Sequence, residues 1–325
     1  MFRTEVQVAP SSLNLSLHSN VVTIGSCFAD VIGSKLRQNK VEALVNPFGT
    51  IFNPLSASLL IAAASGKSYP FEDHLVQHQG IWFAYDLHSS LSSPSKAELL
   101  LTIARRVQLT QASLQKADLL ILTLGTAVGY KLNSTGDLVA NCHKLPAKQF
   151  TRHLLSAEEI VTSLDKINAL LQPINPTLKV LLTVSPVRHL KETIEVNTVS
   201  KAILRVACHQ LTARHENMLY FPAYEIMLDD LRDYRFYKRD MIHPSEEAED
   251  YIWQKFTAAY FNKDFNMFMQ EWGKMKRALS HKAFHPASEA HQTFLRNTLK
   301  QLKELQQKYR INTAQEEELL LKQLL

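Results

Sequence analysis

The chain has 325 residues, of which 46% are hydrophobic and 21% are charged. This is the composition of a globular protein, and it excludes a chain that is disordered throughout. Only 9 residues are glycine, which argues against collagen, β-propellers and other turn-dense folds. The net charge is +5, and the acidic and basic residues are interspersed. Such a pattern is typical of a solvated surface and predicts no nucleic-acid partner.

The three cysteines, Cys27, Cys142 and Cys208, are widely spaced and odd in number. Their spacing predicts neither a disulfide framework nor a zinc site, and we expect no metal or organic cofactor. The first residues lack the apolar run of a secretory signal, and no stretch of about 18 apolar residues indicates a membrane span. These features predict a cytoplasmic protein.

Short apolar, β-branched runs alternate with longer helical patterns. Strands are predicted at 21–24, 41–45, 119–124, 179–184 and 218–221, and helices at 28–39, 54–64, 95–116, 157–171 and 196–215. This alternation predicts an α/β fold, a three-layer sandwich around a five-stranded parallel sheet. Gly25, Gly49 and Gly125 each follow one of the first three strands. In such a sheet these are the carboxyl ends of strands, where ligands bind.

Two segments lie outside this alternation. The segment 70–94 holds an apolar and aromatic run and is predicted to be an inserted hairpin or flap, and 130–150 is a second insertion. Ser156, followed three residues later by Glu159, has the form of a capping box at the start of the fourth helix.

The tail of the chain has a pattern of its own. Five apolar residues fall on one side of a helix there, namely Leu295, Leu299, Leu302, Leu305 and Tyr309. They predict an amphipathic helix in a C-terminal helical extension, 266–325, which follows a body of residues 1–265. We expect this helix to pack on the body, or to pair with a second copy in a homodimer.

The strand that ends at Gly25 is followed by two potential nucleophiles, Ser26 and Cys27, and then by a helix. A side chain at such a turn lies beside free N–H groups and the positive end of the helix dipole. That setting lowers a thiol pKa and stabilises an oxyanion, so the turn is a candidate nucleophile site. The alternative interpretation of Cys27 is a small buried hydrophobe.

A second motif places Asp240 three residues before His243, after the last predicted strand. An aspartate at this spacing can bond to the imidazole and orient it as a general base. The alternative is a plain turn before a helix that begins near Ser245.

Arg188 and His189 follow the fourth strand and are candidates for holding an anionic or acyl group, with a surface salt bridge as the alternative for Arg188. His74 and His78 are four residues apart, but no acidic residue completes a site, so no metal site is predicted.

Taken together, these motifs resemble the GSCFA domain family, within the SGNH/GDSL hydrolase superfamily. The matching segments are Gly25-Ser26-Cys27-Phe28-Ala29, Asn46-Pro47-Phe48-Gly49-Thr50, Leu122-Thr123-Leu124-Gly125-Thr126-Ala127, Asn141-Cys142-His143-Lys144, Thr183-Val184-Ser185-Pro186-Val187-Arg188-His189, Tyr234-Arg235-Phe236-Tyr237 and Asp240-Met241-Ile242-His243-Pro244-Ser245. The resemblance covers residues 15–265 and implies an SGNH, flavodoxin-like fold. It also implies an esterase, or an acyl- or acetyltransferase, that acts on a small-molecule or glycan ester or a carbohydrate-type hydroxyl through a covalent acyl-enzyme.

The resemblance also implies roles for individual residues. Cys27 stands at the place of the superfamily's nucleophilic serine, with Ser26 as the other candidate nucleophile. His243 matches the general base and Asp240 the residue that orients it. Gly49 matches a glycine whose N–H binds the oxyanion.

The chain departs from the superfamily pattern in the third of its sequence motifs. Gly125 is present, but Ala127 stands where the superfamily has an asparagine that donates to the oxyanion. Asn46 or Asn141 is a candidate replacement, Asn141 first, because its loop follows directly from the third strand. The missing donor leaves a second interpretation, a catalytically weak SGNH-fold module that binds a glycan or a protein.

Overall fold

The computed structural model describes residues 4–191 and 193–325. The strands are β1 (Asn20–Gly25), β2 (Glu42–Val45), β3 (Leu75–His78), β4 (Ile81–Ala84), β5 (Leu119–Leu124), β6 (Val128–Leu132), β7 (Leu138–Val139), β8 (Phe150–Leu154), β9 (Lys179–Val184) and β10 (Met218–Tyr220). The α-helices are α1 (Cys27–Gln38), α2 (Pro54–Ala64), α3 (Lys96–Lys116), α4 (Ala157–Leu171), α5 (Ile194–Arg214), α6 (Ala223–Glu225), α7 (Glu246–Tyr260), α8 (Lys263–Leu279), α9 (Glu289–Tyr309) and α10 (Ala314–Leu321). Short 3₁₀ turns occur at Phe71–His74, Ala147–Gln149 and Tyr234–Phe236, and one π-helical turn at Ile226–Asp230.

A parallel sheet of five strands, in the order β10-β9-β5-β1-β2, forms the centre of the fold. The predicted α/β class and its five parallel strands are therefore confirmed. Strand β2 lies on one side of β1, and β5, β9 and β10 follow in sequence order on the other side. This is the flavodoxin-like arrangement. Because the strand order reverses between β1 and β5, the loops that follow these two strands diverge and leave a crevice at their carboxyl ends.

Both faces of the central strands are buried, in keeping with their mostly apolar sequences. Along β5, Leu119 and Ile121 pack in one cluster with α1 and α7. Leu120 and Leu122 point the other way and pack with α2, α4 and α5. The sheet thus lies between two helical layers, as the alternation of strands and helices predicted.

The predicted capping box is present at the start of α4. The hydroxyl of Ser156 accepts the N–H of Glu159 at 3.1 Å, and the Glu159 carboxylate accepts the N–H of Ser156 at 2.8 Å. This pair satisfies two N–H groups that have no partner inside the helix.

The two insertions form small antiparallel sheets that are joined by one histidine. Strands β3 and β4 make the predicted hairpin, and β7, β6 and β8 make a three-stranded sheet. The buried ring of His143 donates its Nε2–H to the carbonyl of Ala84 at 2.8 Å and accepts the Ser89 hydroxyl at 2.9 Å. His143 therefore fixes the loop after β7 to the end of the β3–β4 hairpin.

The C-terminal helices pack on the layer that contains α1. Leu295 and Leu302 on α9 are buried in the same cluster as Phe28, and the other three residues of the predicted stripe lie partly buried against it. Trp272 on α8 donates its indole N–H to the carbonyl of Gln38 at 2.8 Å. The stripe is covered by its own chain, and a homodimer through α9 stays a prediction. Within residues 4–191 and 193–325, no helix has both the length and the hydropathy needed to cross a membrane.

Truncation of one buried side chain tests this packing. Leu302 is 0% exposed, so Leu302→Ala should lower the free energy of unfolding by about 2–5 kcal/mol. The matched control is Leu319→Ala, at a position 57% exposed, which should change it by less than about 0.5 kcal/mol. Urea unfolding of both variants measures the difference. Equal values for the two would show that α9 does not pack as described.

Candidate active site

The turn between β1 and α1 is held by a contact that only glycine permits. A Cβ on Gly25 would lie 2.2 Å from the carbonyl oxygen of Thr123 on β5. The φ of Gly25 is +145°, and the N–H of Ser26 donates to the same oxygen at 3.0 Å. The chain is thereby tied to β5 at the point where it enters α1.

Ser26 and Cys27 lie in different surroundings at this turn. Ser26 occupies the N-cap position of α1 without a capping side-chain bond, and its hydroxyl is buried without a hydrogen-bond partner among the described residues. Cys27 is the first residue of the helix and is half-buried. The backbone N–H groups of Cys27 and Phe28 favour its thiolate, as expected at a helix N-terminus.

The expectation that this turn lowers the pKa of Cys27 is wrong. Burial raises the pKa of the thiol, and the nearby Asp30 carboxylate in the first turn of α1 raises it further. The two backbone N–H groups and the Lys201 ammonium act in the opposite direction but do not outweigh these effects. Cys27 is therefore a protonated thiol at neutral pH.

The predicted pair of Asp240 and His243 forms a hydrogen bond. Nδ1 of His243 donates to Oδ2 of Asp240 at 2.7 Å. Oδ1 of Asp240 accepts the N–H of His243 at 3.0 Å and that of Ile242 at 2.9 Å. These two backbone donors, together with the imidazole, hold the pKa of the Asp240 carboxyl well below its usual range. The aspartate is thus an ionised acceptor that leaves Nε2 of His243 as the basic nitrogen.

Arg188 supports the loop that carries this pair. Its guanidinium donates to the carbonyl of Met241 at 3.1 Å and lies 4.0 Å from the ring centre of Tyr237. Its backbone N–H donates to the carbonyl of Ile242 at 3.2 Å. These contacts fix the loop against the end of β9. The expected role of Arg188 in holding an anionic or acyl group stays a prediction.

His189 lies beside Ser26. A Cβ on Gly125 would meet Nε2 of His189 at 3.2 Å and Cβ of Ser26 at 3.1 Å, so the two side chains border the same small space. Burial lowers the pKa of His189 to about 3, and the charges of Lys201 and His243 lower it as well. His189 is therefore a neutral imidazole that lies within electrostatic reach of His243.

The other predicted oxyanion donors are engaged elsewhere. The N–H of Gly49 donates to the carbonyl of Asn46 at 2.8 Å. The Asn46 side chain accepts the N–H of Gly25 at 2.9 Å and donates to Asp30 at 2.8 Å, so it braces the turn. The N–H of Gly125 donates to the carbonyl of Phe52 at 2.9 Å. In this structure Gly49 and Asn46 hold the backbone in place.

Asn141, the first choice for the missing amide, lines a cavity next to His189. The cavity has a volume of about 430 Å³ and lies between the β6–β8 insertion and the start of α5. Phe52, Val128, Tyr130, Phe150 and Val196 form apolar parts of its wall, and Asn141, His189 and Asn197 form polar parts. Neither Cys27 nor His243 lines the cavity. His189 lies in its wall and also borders Ser26, so it connects the cavity to the turn between β1 and α1.

One functional candidate, Lys201, was missed by the sequence analysis. It is 1% exposed, and its ammonium group donates to the carbonyl oxygens of Gly125 and Ser185, both at 2.7 Å. Burial lowers its pKa to about 7, and a thiolate at Cys27 would oppose this shift. The available signal was a lysine on the apolar face of a predicted helix, since Leu204 and Cys208 share its buried side.

The histidine pair at 74 and 78 does not share a helix. His74 lies in a 3₁₀ turn and bonds to the Tyr69 hydroxyl at 3.0 Å, whereas His78 ends strand β3. Within the described part of the chain, no group of three or more His, Cys, Asp or Glu side chains could hold a metal ion.

Comparison with known proteins identifies the family. The family model described as "GSCFA family" matches residues 20–256. The chain belongs to the GSCFA family. A second model, "GSCFA domain protein, C-terminal domain", matches residues 272–325. All candidate site residues of this GSCFA protein lie inside the first match, and α9 and α10 lie inside the second.

No curated protein matches this GSCFA chain. One similar solved structure is described as "a putative platelet activating factor from Streptococcus pneumonia". It is 12% identical with a TM-score of 0.40, and the alignment covers 75% of this chain and 85% of that chain.

The buried lysine predicts a pH dependence of stability. Its pKa is about 7 in the folded GSCFA protein and about 10.4 in an unfolded chain. Between these values the unfolded state binds more protons, so this residue makes stability rise with pH. Relative to Lys201→Met, the wild type should gain about 2–3 kcal/mol between about pH 6 and pH 9. Urea unfolding at both pH values measures this, with Lys300→Met at an exposed position as control. If the free energy of unfolding changed with pH equally in the wild type and in Lys201→Met, the lowered pKa of Lys201 would be contradicted.

Proposed function

We propose that this protein is an acyl-transfer enzyme of the SGNH type, which cleaves an ester or passes its acyl group to a hydroxyl through a covalent acyl-enzyme. The observation that carries the proposal is the 2.7 Å bond between Asp240 and His243, with Nε2 of His243 left as a base. A turn with two potential nucleophiles lies in the same chain, at a helix N-terminus. These parts together supply the nucleophile and general base that acyl transfer requires.

Cys27 is the proposed nucleophile. Because its thiol is protonated at neutral pH, it needs a base during attack, and His243 takes the proton at Nε2 as the sulfur–carbon bond forms. The imidazolium, stabilised by Asp240, then returns the proton to the leaving alcohol as the ester carbon–oxygen bond breaks. Water or an acceptor hydroxyl next attacks the thioester, again with His243 as base, and the thiol is restored.

The oxyanion of each tetrahedral intermediate needs N–H donors. The backbone N–H groups of Cys27 and Phe28 are the proposed pair, because both belong to the first turn of α1 and favour negative charge beside them. They take the place of Gly49, whose N–H is used within its own turn.

The cavity beside His189 supports an apolar acyl group larger than acetyl. Its volume, about 430 Å³, is within the usual range for small-molecule sites, roughly 300–1,000 Å³. Aromatic and aliphatic side chains form much of its wall, which suits an apolar acyl chain, and polar side chains such as Asn141 and Asn197 are available to the ester group.

A second candidate function is the binding module without catalysis. The observations that favour it are the raised pKa of Cys27 and the engagement of Gly49 and Asn46 in the turn. In that case the cavity would hold a ligand and no covalent intermediate would form.

Intact mass spectrometry with p-nitrophenyl esters of increasing chain length distinguishes the two functions. The wild type should gain one acyl group, faster for longer acyl chains, and Cys27→Ala should gain none. Ser26→Ala is the matched control: its hydroxyl is buried without a partner, so its loss should change neither folding nor acylation. Loss of acylation in Ser26→Ala alone would make Ser26 the nucleophile. Ligand binding without any adduct would favour the binding module.

Removal of the base or of its orienting partner should impair acylation without unfolding the protein. His243→Ala and Asp240→Asn should each lower the acylation rate on the order of 100-fold, because a positioned general base contributes about 10²–10⁴. Both side chains are at least 40% exposed, so the core packing should be unaffected. His18→Ala, at an exposed position, is the control. Wild-type rates in His243→Ala would exclude this residue as the base.

A further inference from the structure

We infer that the Nε2–H of His189 is the side-chain oxyanion donor of this site, in the role left empty by the asparagine that is missing after Gly125. The inference rests on the proposed acyl transfer and adds a catalytic residue to it. Its basis is the position of one unsatisfied nitrogen beside the nucleophile turn.

The nitrogen is buried and has no partner. Among the described residues, Nε2 of His189 makes no hydrogen bond. A buried donor without a partner costs about 1–3 kcal/mol, so such groups are rare in folded proteins unless a ligand completes them.

The same nitrogen faces the nucleophile turn. Nε2 of His189 and Cβ of Ser26 lie 3.2 Å and 3.1 Å from the point where a Cβ on Gly125 would be. Any side chain at position 125 would fill this space, which explains why glycine is needed there. A small polar atom such as a carbonyl oxygen, held near the start of α1, could then reach the imidazole N–H.

The ring is fixed in this position before any substrate binds. The backbone N–H of His189 donates to the side-chain oxygen of Asn197 at 2.9 Å. The ring of Phe52 meets the imidazole edge to face, with 5.2 Å between ring centres. A preorganised donor needs no rearrangement as charge develops, which is the condition for strong transition-state stabilisation.

The surroundings keep this imidazole neutral, and a neutral imidazole has one N–H to donate. Lys201 on α5 and His243 on the loop before α7 both disfavour a second proton, and burial does so more strongly. His189 is therefore suited to donate a hydrogen bond, and His243, with its Asp240 partner, to move protons.

The cavity connects this donor to the substrate. His189 is part of the cavity wall, whereas Cys27 is not. An acyl chain that lies among Phe52, Tyr130 and Val196 would place its carbonyl group near His189, at the cavity end next to the turn. As the bond to the nucleophile forms, the carbonyl electron pair moves to oxygen and the Nε2–H donates to it. The proton stays on the nitrogen, and the pair returns when the bond to the alcohol breaks.

Two reactions at the same site test the inference. Acylation by a p-nitrophenyl ester passes through an oxyanion, whereas alkylation of Cys27 by iodoacetamide does not. His189→Phe keeps an aromatic ring against Phe52 but lacks the N–H, and it should acylate about 10²–10³-fold more slowly. His189→Gln keeps an N–H and should lose about tenfold or less. Alkylation of Cys27 should stay within about twofold of the wild-type rate in both variants.

Each outcome is decisive. Acylation of His189→Phe at the wild-type rate overturns the inference and leaves the proposed function intact. A parallel loss of acylation and alkylation also overturns it, because His189 would then activate the nucleophile or hold the turn. Equal losses in His189→Gln and His189→Phe would exclude the N–H as the essential feature. If the wild type is not acylated but Cys27 is alkylated normally, the proposed function fails, and the inference fails with it.

Discussion

The contact between Gly25 and the carbonyl of Thr123 is the constraint on which the candidate site depends. Because the backbone of β1 lies against β5 without an intervening side chain, the turn into α1 is bonded to β5 by Ser26 and to the loop after β2 by Asn46. Asn46 in turn holds Asp30, in the first turn of the helix. A side chain at position 25 would separate the strands and move both potential nucleophiles away from the crevice at their ends.

Three basic side chains share this end of the sheet, and their surroundings separate their roles. Lys201 and His189 are buried, and burial shifts the pKa of each downward. His243 is 40% exposed and bonded to an ionised aspartate. In the proposed chemistry only His243 exchanges protons and His189 donates a hydrogen bond, while Lys201 donates to the carbonyl oxygens of Gly125 and Ser185. Burial and neighbouring charge thus give these three basic groups different protonation behaviour.

Much of the framework could be predicted from the sequence because local patterns determine it. Apolar runs marked the five strands, the spacing of Ser156 and Glu159 marked the start of α4, and the spacing of Asp240 and His243 marked their hydrogen bond. The dyad is a contact between residues three apart, which depends on one turn and on nothing distant. Its place in a catalytic mechanism is a proposal.

The remaining features arise from contacts between distant segments. The helix N-terminus correctly suggested N–H groups beside Cys27. The raised pKa of Cys27 reflects its burial, which depends on the packing of distant segments and could not be predicted from the local sequence. Gly49 was expected to offer its N–H, and the left-handed turn at Asn46 takes it instead. The cavity is formed by an insertion whose position could not be inferred, and Lys201 reaches two strand ends from the middle of α5.

The protonated state of Cys27 affects how readily this residue reacts with oxidants. Peroxides and disulfides react with thiolates, and a thiol whose pKa is raised presents few of them at neutral pH. Asp30, one helical turn away, adds to this protection by disfavouring negative charge on the sulfur. In the proposed chemistry such a thiol is unreactive at rest and becomes a nucleophile only while a base removes its proton. In the proposed chemistry, Asp30 therefore both slows attack by Cys27 and makes its thiol less prone to oxidation.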